Sequence, residues 1–288
     1  MEGKFVTQSV DGQTFQLKEL HDFQWLQSYG TVFNVFDQQD SGNLSFGVKK
    51  GTERYFIKYA GAKTIYHNNT PSESIQRLKE AERVYRDLQH PSLIQFIEAI
   101  KTPNGYGLVF AWTNGENLHP HWEFPPPKKY THPDSPFYRF RQLPFEKKST
   151  AFKQILSFHK YVEEEGYVLI DFYDGSLLYN FTSDRLTICD IDMYAKVPYT
   201  NEVGRMWGSS RFMAPEEFEK GATIDRQTMV YTMGAMAFAL FGGETDRSLD
   251  KWQAPERFYS IARKAVQTDK SARYGSVGQF LEKWLEKE

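Results

Sequence analysis

The local sequence pattern changes once along the chain, near Asn114. Before this residue most segments have the short apolar runs of β-strands, with one long helix among them. After it, helical periodicity dominates and strand-like runs are few and short. Strands that precede helices, with a hinge between them, indicate an α+β protein with two lobes. A chain of 288 residues is long enough for two such units.

The N-terminal part has mainly strand-like runs. They cover residues 4–10, 13–17, 31–36, 44–50, 54–59, 93–97 and 107–112. An aspartate–glycine turn joins the first two as a hairpin. Between this hairpin and the third run, residues 18–29 predict a helix whose apolar side carries Leu20, Phe23 and Leu26.

A longer helix follows the fifth run and has clear end signals. Thr70 is an N-cap residue, Pro71 stands where its missing N–H costs nothing, and Glu73 completes a capping box. The helix is expected to end before His90-Pro91, because the residue before a proline disfavours helical geometry.

Helices are expected to dominate the C-terminal part. The predicted elements are helices over residues 150–164, 226–241, 255–268 and 277–287, and strands over residues 168–170, 177–179 and 186–188. Residues 119–147 hold seven of the thirteen prolines and predict a long irregular insertion. This insertion is too aromatic for a simple linker, so we expect it to pack on the larger lobe.

Composition excludes several classes of protein. The chain has 35 basic and 37 acidic residues, which argues against a dedicated nucleic-acid binder. Its single cysteine, Cys189, excludes an internal disulfide and a cysteine-based zinc site and favours a reducing compartment. The longest apolar run, residues 229–241, is too short to span a membrane. No export signal is visible, so we expect a cytoplasmic protein.

Residues 208–216 read Gly-Ser-Ser-Arg-Phe-Met-Ala-Pro-Glu. They resemble the P+1 loop and Ala-Pro-Glu motif of protein kinases, and the resemblance covers roughly residues 31–285. The chain is identified as a divergent member of the protein kinase-like superfamily, similar to bacterial eukaryotic-like Ser/Thr protein kinases. The resemblance implies a bilobal fold, with an extension at residues 1–30, a small β-rich N-lobe with one main helix at 31–113 and a larger, mainly helical C-lobe at 114–288.

The segment Phe-Ile-Lys ending at Lys58 looks like the kinase strand whose lysine holds the α- and β-phosphates of ATP. In the family this lysine pairs with a glutamate on the capped helix. The matching position here is Ala81, with Glu80 and Glu82 on either side. We prefer Glu82, because it lies nearer the apolar stripe of the helix, and Glu80 remains the alternative.

The glycine-rich loop of the family has two possible registers. One begins near Gly30 but leaves the strand at 44–50 unexplained. The other, residues 37–43, accounts for all three neighbouring strands and is preferred. It places Ser41, Gly42 and Asn43 nearest the phosphates of ATP.

The hinge between the lobes follows from the same register. Phe110 takes the gatekeeper position. The backbone C=O of Ala111 and N–H of Thr113 are expected to bond adenine, and Asn117 is expected to face the ribose.

Two aspartates resemble the catalytic and metal-binding residues of kinases. Asp171 would accept the proton of the hydroxyl that is phosphorylated, and Asp190 would bind Mg²⁺ or Mn²⁺. Ser176 replaces the second metal ligand, normally asparagine. The cation near the catalytic aspartate is missing, since Tyr173 and Asp174 stand there, and the aspartate that braces the loop is replaced by Met229. The loop must therefore be supported in another way.

The activation segment lacks the signal for control by phosphorylation. Regulated kinases carry an arginine before the catalytic aspartate, where Ile170 stands here; Arg205 and Arg211 lie in the segment itself and cannot replace it. We therefore predict activity without activation-loop phosphorylation. Glu216 is expected to pair with Arg273, as in the family. Three side chains should pack the segment: Met206, Trp207 and Phe212.

Three functions fit these residues. The preferred one is an ATP-dependent protein kinase, with ATP and Mg²⁺ or Mn²⁺ as cofactors and a protein Ser or Thr as acceptor. The first alternative is a pseudokinase that binds nucleotide or partners without transfer, favoured by Ser176 and Met229. The second is a small-molecule phosphotransferase, a class that does not usually carry an Ala-Pro-Glu segment. No nucleic-acid or membrane partner is expected.

Overall fold

The computed structural model describes residues 5–39, 41–67 and 70–286. The chain divides into two compact units, Met1–Thr113 and Asn114–Glu288. Strands dominate the first unit and helices the second, as expected for an α+β protein. In the part of the chain that the structure describes, no helix has both the length and the apolarity to cross a membrane.

The elements of the first unit are β1 (Val6–Val10), β2 (Gln13–Leu17), β3 (Thr31–Phe36), β4 (Leu44–Lys50), β5 (Glu53–Ala60), α1 (Pro71–Asp87), β6 (Phe96–Thr102) and β7 (Gly105–Ala111). Five of the strands form its main antiparallel sheet, in the order β3-β4-β5-β7-β6. The hairpin and the next three predicted strands are confirmed, except that Lys4 lies outside the described residues. The strand predicted at 93–97 was misplaced, because a turn at residues 103–104 lets β6 continue to Thr102.

The N-terminal hairpin belongs to the core of the first unit. Phe15 of β2 packs edge-on against Phe46 of β4, with 6.2 Å between ring centroids. Phe23 lies 5.9 Å from Tyr59 of β5 in the same way. All four side chains are almost fully buried, and each such burial contributes about 1.5–3 kcal/mol. The hairpin therefore stabilises one face of the sheet.

The helix predicted over residues 18–29 is wrong. Only Gln24–Ser28 form a short 3-10 helix, and Leu20 is 72% exposed. A long-range contact takes a backbone group that a helix would need: the His21 carbonyl accepts a hydrogen bond from the Gln8 side-chain amide at 2.5 Å and not from a backbone N–H four residues later. Lys18 N–H is also tied to a distant residue, the Lys63 carbonyl, at 2.9 Å. Tertiary contacts thus override the apolar spacing.

Both ends of α1 follow the predicted signals. Glu73 N–H donates to Thr70 Oγ1 at 3.4 Å, and the Glu73 carboxylate accepts the Thr70 N–H at 2.7 Å. The last helical residue is Asp87. The buried side of the helix packs on the sheet, where Tyr85 lies 4.8 Å from Phe110 between ring centroids. This packing fixes α1 against β7.

The second unit is mainly helical, with short strands around its loops. Its elements are β8 (Glu116–Asn117), α2 (Lys128–Thr131), α3 (Pro136–Arg141), α4 (Phe145–Glu164), β9 (Tyr167–Val168), β10 (Leu177–Asn180), β11 (Arg185–Ile188), β12 (Ala195–Lys196), β13 (Tyr199–Thr200), β14 (Thr223–Ile224), α5 (Arg226–Phe241), α6 (Glu256–Ala265) and α7 (Val277–Leu285). The prediction for α5 is confirmed residue for residue. The helix predicted to begin at residue 150 begins at Phe145, and the strand predicted at 168–170 is shorter and earlier.

Helix α5 lies in the centre of this unit. Nearly every residue from Thr228 to Phe241 is buried, which explains why its apolar residues do not form a single stripe. Phe241 packs on Phe152 of α4 and on Trp284 of α7, with ring centroids 5.8 and 5.6 Å apart. Helices α4, α5 and α7 therefore share one aromatic core.

The proline-rich insertion is more regular than predicted, because it contains α2 and α3 and leads directly into α4. Ser135 caps α3 and Pro136 occupies its first position. Phe137 and Phe140 are fully buried, and the ring of Phe140 lies 5.0 Å from that of Tyr179. The expectation that the insertion packs on the larger unit is confirmed.

Candidate active site

Asp171 and Asp190 each lie just beyond a short strand of the second unit. Asp171 follows β9 and Asp190 follows β11. Both have a left-handed backbone, with φ of 59° and 55°. For a residue with a side chain this conformation costs about 1 kcal/mol or more and is concentrated at functional sites. The predicted catalytic aspartate and the predicted metal-binding aspartate thus both have a strained backbone conformation.

The two aspartates act on the same buried phenol. Burial, together with the negative charges of Asp190 and Asp171, raises the pKa of Tyr194 well above its usual range. The Tyr194 hydroxyl lies 2.7 Å from His159 Nε2, and His159 Nδ1 lies 2.8 Å from the Ile155 carbonyl. Because a carbonyl only accepts, His159 Nδ1 carries a hydrogen in this arrangement. The charges of both aspartates therefore act on one buried, protonated phenol.

Ser176 lies next to Asp190 through backbone pairing. Its carbonyl accepts the N–H of Cys189 at 2.9 Å, and β10 and β11 continue the pairing. The Ser176 side chain is fully buried, and its hydroxyl has no hydrogen-bond partner among the described residues. Mg²⁺ is typically held by one or two carboxylates together with substrate phosphates and waters. One carboxylate and one unused hydroxyl fit such an ion.

A buried ion cluster supports the loop that follows Asp171. Asp174 is fully buried and accepts two hydrogen bonds from Arg211 of the activation segment, at 2.9 and 3.1 Å. Lys129, at the start of the insertion's α2, donates to the same carboxylate and is also fully buried. Arg211 also donates to Glu244, the residue that follows α5 by three positions. Two cations and two anions therefore balance in one place.

This cluster is held in its charged form. Burial opposes ionisation of Asp174, but Lys129 and Arg211 outweigh it and lower the pKa of the carboxyl. Burial also lowers the pKa of Lys129, while the Asp174 charge beside it favours the ammonium. The Tyr130 hydroxyl donates to Glu244 at 2.8 Å and occupies its other oxygen. Each charged side chain of the cluster thus has at least one hydrogen-bonded partner of opposite charge, as buried charges require.

The cluster answers a question that the sequence left open. With Met229 at the position of the bracing aspartate, the catalytic loop needed other support. The Arg211–Asp174 pair gives that support, and Asn117 adds a hydrogen bond from its amide to the Gly175 carbonyl at 2.6 Å. Sequence reasoning missed Lys129 and Asp174 because 45 residues separate them and no local pattern links them. Asp174, which stands where kinases usually have a cation, was the one signal available in the sequence.

The activation segment approaches Asp171 at Gly208. A Cβ atom at Gly208 would lie 3.2 Å from the Cα and Oδ1 of Asp171, and its φ is 123°. Further along, Arg273 donates to both Glu216 oxygens at 2.7 and 3.0 Å, which confirms the predicted pair. Two of the three side chains predicted to pack this segment are buried: Met206 and Phe212. The third prediction was wrong, since Trp207 is 51% exposed.

Glu217 gives the same region a measurable pH dependence. Burial, with Glu216 and Asp171 nearby, raises the pKa of this carboxyl to about 7. A carboxyl with a raised pKa binds more protons in the folded state, so its contribution to stability is present at low pH and is lost as pH rises from about 4.5 to about 7.

Replacing Glu217 by glutamine should therefore flatten the stability profile. Between pH 5 and pH 8, unfolding in urea should show a smaller decrease of free energy with rising pH for Glu217→Gln than for the unmodified protein. Glutamine keeps an oxygen that can accept the Ala214 N–H, which Glu217 now binds at 2.6 Å. Parallel profiles for the two proteins would contradict the raised pKa.

In the first unit, Lys58 lies on β5 in the middle of the sheet, paired with Ser45 and Leu108, and is 8% exposed. The Glu82 carboxylate accepts hydrogen bonds from Arg86 at 2.7 Å and from the hydroxyl of Tyr106. Both of its oxygens have partners within the unit. Pairing of Lys58 with Glu82 stays a prediction.

Glu80 is the alternative partner for Lys58. Glu80 is exposed and accepts a hydrogen bond from Gln76, one turn earlier on α1, at 2.8 Å. Ala81, the position that matches the family's glutamate, is fully buried against the sheet. Neither neighbour takes the buried position itself.

The loop between β3 and β4 is anchored to α1. Gly42 has φ 79°, and a Cβ atom there would lie 2.3 Å from the His67 ring and 2.7 Å from Ser74 Oγ. Arg77 donates to the Ser41 carbonyl at 3.1 Å. The neighbouring Asn43 is 6% exposed, and its side-chain oxygen has no partner among the described residues. Glycine is thus required at position 42, while phosphate binding by Ser41, Gly42 and Asn43 stays a prediction.

The hinge residues lie at the boundary of the two units. Phe110 is buried beside Phe56, 6.3 Å away between ring centroids. Ala111 N–H donates to the Gln95 carbonyl at 2.9 Å. Thr113 is the last residue of the first unit.

Asn117 belongs to the second unit and already has two partners. Its amide nitrogen donates to Gly175, and its oxygen accepts the His119 N–H at 2.7 Å. It braces the catalytic loop. Its predicted contact with the ribose, like the adenine contacts of Ala111 and Thr113, stays a prediction.

Comparison with known proteins agrees with this arrangement. A sequence model described as the protein kinase domain matches residues 40–284. The chain is also 25% identical over 225 residues to mitogen-activated protein kinase kinase kinase 1 of Rattus norvegicus. This alignment covers 74% of the chain but only 13% of the length of that relative. Since the kinase domain match extends over most of the sequence, the chain belongs to the protein kinase family.

Proposed function

We propose that the chain is an ATP-dependent protein kinase that transfers the γ-phosphate to a Ser or Thr hydroxyl. The observation that carries this proposal is that Asp171 and Asp190 each follow a short strand of the second unit with a left-handed backbone, and that the charges of both act on the buried Tyr194. An unused buried hydroxyl, that of Ser176, lies next to Asp190. These three oxygen-bearing side chains match the needs of a base and a metal site.

The chemistry assigns a separate task to each residue. Asp171 accepts the proton of the acceptor hydroxyl. The oxygen of that hydroxyl forms a bond to the γ-phosphorus of ATP, and ADP leaves. Asp190 and Ser176 hold Mg²⁺, which when bound neutralises charge on the phosphates. Lys58 contributes a further positive charge toward the phosphates, which its burial on β5 makes stronger than in water.

The proposal includes activity without a phosphate on the activation segment. In this chain the catalytic loop supplies the anion, Asp174, and the activation segment supplies the cation, Arg211. In regulated kinases the arrangement is the reverse, because an arginine before the catalytic aspartate binds a phosphate on the activation segment. A bidentate guanidinium–carboxylate pair fixes both position and orientation, so the segment is ordered by the unmodified sequence.

The proposed acceptor and location have their own support. The Ala-Pro-Glu segment, with its Glu216–Arg273 pair, supports a protein acceptor over a small molecule. The single cysteine of the chain supports a location in the reducing cytoplasm. The nearly equal numbers of basic and acidic residues support a partner other than nucleic acid.

A pseudokinase is the second candidate, because Ser176 stands where the family has asparagine. Incubation with γ-labelled ATP and a protein acceptor, with Lys58→Met as the inactive control, separates the candidates. Label on serine or threonine supports the proposal. Nucleotide binding without label supports the pseudokinase, and label only on small acceptors supports the phosphotransferase.

Ser176 also sets the metal dependence. Ser176→Asn should lower the Mg²⁺ concentration for half-maximal rate, since an amide oxygen is a stronger ligand than a hydroxyl. Ser176→Ala should raise it, because the hydroxyl is lost. A Mg²⁺ titration of the transfer rate compares the three proteins. Identical half-saturation would remove Ser176 from the metal site.

A further inference from the structure

Ser209 contacts the guanidinium that holds the activation segment in place. Arg211 Nε donates to Ser209 Oγ at 3.1 Å, while both Nη atoms bind Asp174. Ser209 is partly exposed, so its hydroxyl is not sealed in the core. One arginine thus links a modifiable hydroxyl to the buried ion cluster.

We propose that Ser209 is an inhibitory phosphorylation site. Its effect on activity rests on the proposed kinase function. Modification joins Ser209 Oγ to the γ-phosphorus of ATP, breaks the bond from that phosphorus to the bridging oxygen and releases ADP. The hydroxyl proton passes to the basic carboxylate of the protein kinase that carries out the transfer.

The phosphate competes with Asp174 for Arg211. Phosphoserine carries a charge of about −1.5 to −2 at pH 7 and three strong acceptor oxygens. It is attached to the oxygen that Arg211 already contacts. Asp174 keeps Lys129 as its partner, so the carboxylate is not left buried without a cation. Exchange of partners is therefore possible without unfolding the loop, and it removes the link between the loop and the segment.

The space between Ser209 and the catalytic loop does not admit a phosphate. Ser209 lines a cavity of about 10 Å³ together with Asp171, Gly208 and Glu217. This volume holds about one water molecule and not a phosphate. The Asp171 carboxylate in the lining also repels a further negative charge. A phosphate on Ser209 therefore leaves this cavity and turns to Arg211, which draws the segment away from Asp171, the residue that the proposed reaction needs in place.

Ser210 offers a matched control. It neighbours Ser209 but is exposed, and it does not line the cavity. A phosphate at Ser210 adds the same charge to the same segment without lying on Arg211 Nε. The two positions separate the effect of partner exchange from that of charge alone.

The test uses the full chain with phosphoserine encoded at position 209 or at position 210. Phosphoserine at 209 should slow transfer to a protein acceptor by at least about tenfold and speed trypsin cleavage after the exposed Arg205, because the segment loses its anchor. Phosphoserine at 210 should leave both within about twofold of the unmodified chain.

Each outcome decides the proposal. Unchanged transfer and unchanged cleavage with phosphoserine at 209, or equal loss at both positions, would overturn it. If the unmodified chain transfers no phosphate at all, the proposed function fails. In that case faster cleavage confined to the protein modified at 209 would still support the exchange of partners, and equal cleavage would refute it.

Discussion

Replacing Asp174 by alanine is expected to destabilise the protein by about 3–5 kcal/mol, because it leaves buried cations without their carboxylate. Asp174 is the anion that Arg211 and Lys129 share, and its side chain is fully buried. The free energy of unfolding, measured with urea at pH 7, gives the effect directly.

Two further proteins show whether the loss comes from the buried cluster. Glu19→Ala breaks the exposed Lys63–Glu19 pair and should cost at most about 1 kcal/mol. The double variant Asp174→Ala with Arg211→Ala should lose less than the sum of the two single variants, since the partners act together. A loss below about 1 kcal/mol for Asp174→Ala would show that the cluster does not hold the loop.

Changing Asp171 to asparagine should reduce phosphate transfer by about 10²–10⁴-fold, the usual contribution of a positioned base. ATP binding should stay nearly unchanged, because the phosphates are assigned to Lys58 and Asp190. The rate with γ-labelled ATP and the dissociation constant of a fluorescent ATP analogue report the two properties separately.

A matched substitution elsewhere in the same unit controls for the chemical change. Asp184→Asn alters an aspartate that pairs with Lys147 at a surface turn, and it should transfer phosphate at the normal rate. Equal turnover by Asp171→Asn and the unmodified protein would remove Asp171 from the mechanism.

Local signals predicted the elements that depend on neighbouring residues. The capping box at Thr70 is a contact between residues three apart, so the sequence contains all of it. The strands β3, β4 and β5 are likewise set by alternation and short turns. The helix predicted over residues 18–29 is absent because the His21 carbonyl binds the Gln8 side chain, a contact with another element that the apolar spacing does not reveal.

The candidate site divides in the same way. Asp171, Asp190 and the Glu216–Arg273 pair were predicted from the resemblance to kinase motifs, and the structure confirms the pair although 57 residues separate its members. The Lys129–Asp174–Arg211 cluster was not, because it joins an insertion, a catalytic loop and the activation segment. The sequence did predict that the loop needs unusual support, since Met229 cannot accept a hydrogen bond from a backbone N–H as a carboxylate would. Only the fold identifies the residues that provide it.

Phosphate transfer by protein without a phosphate on its activation segment tests the proposed function most directly. The full chain is treated with a phosphatase, shown by mass spectrometry to carry no phosphate between residues 190 and 216, and mixed with γ-labelled ATP, Mg²⁺ and a protein acceptor. Labelling of serine or threonine in the acceptor is measured in the first turnovers, with Asp171→Asn as the blank. We predict the same initial rate before and after phosphatase treatment, well above the blank. No labelling above the blank, or labelling that returns only after a residue of the segment is phosphorylated again, would contradict it.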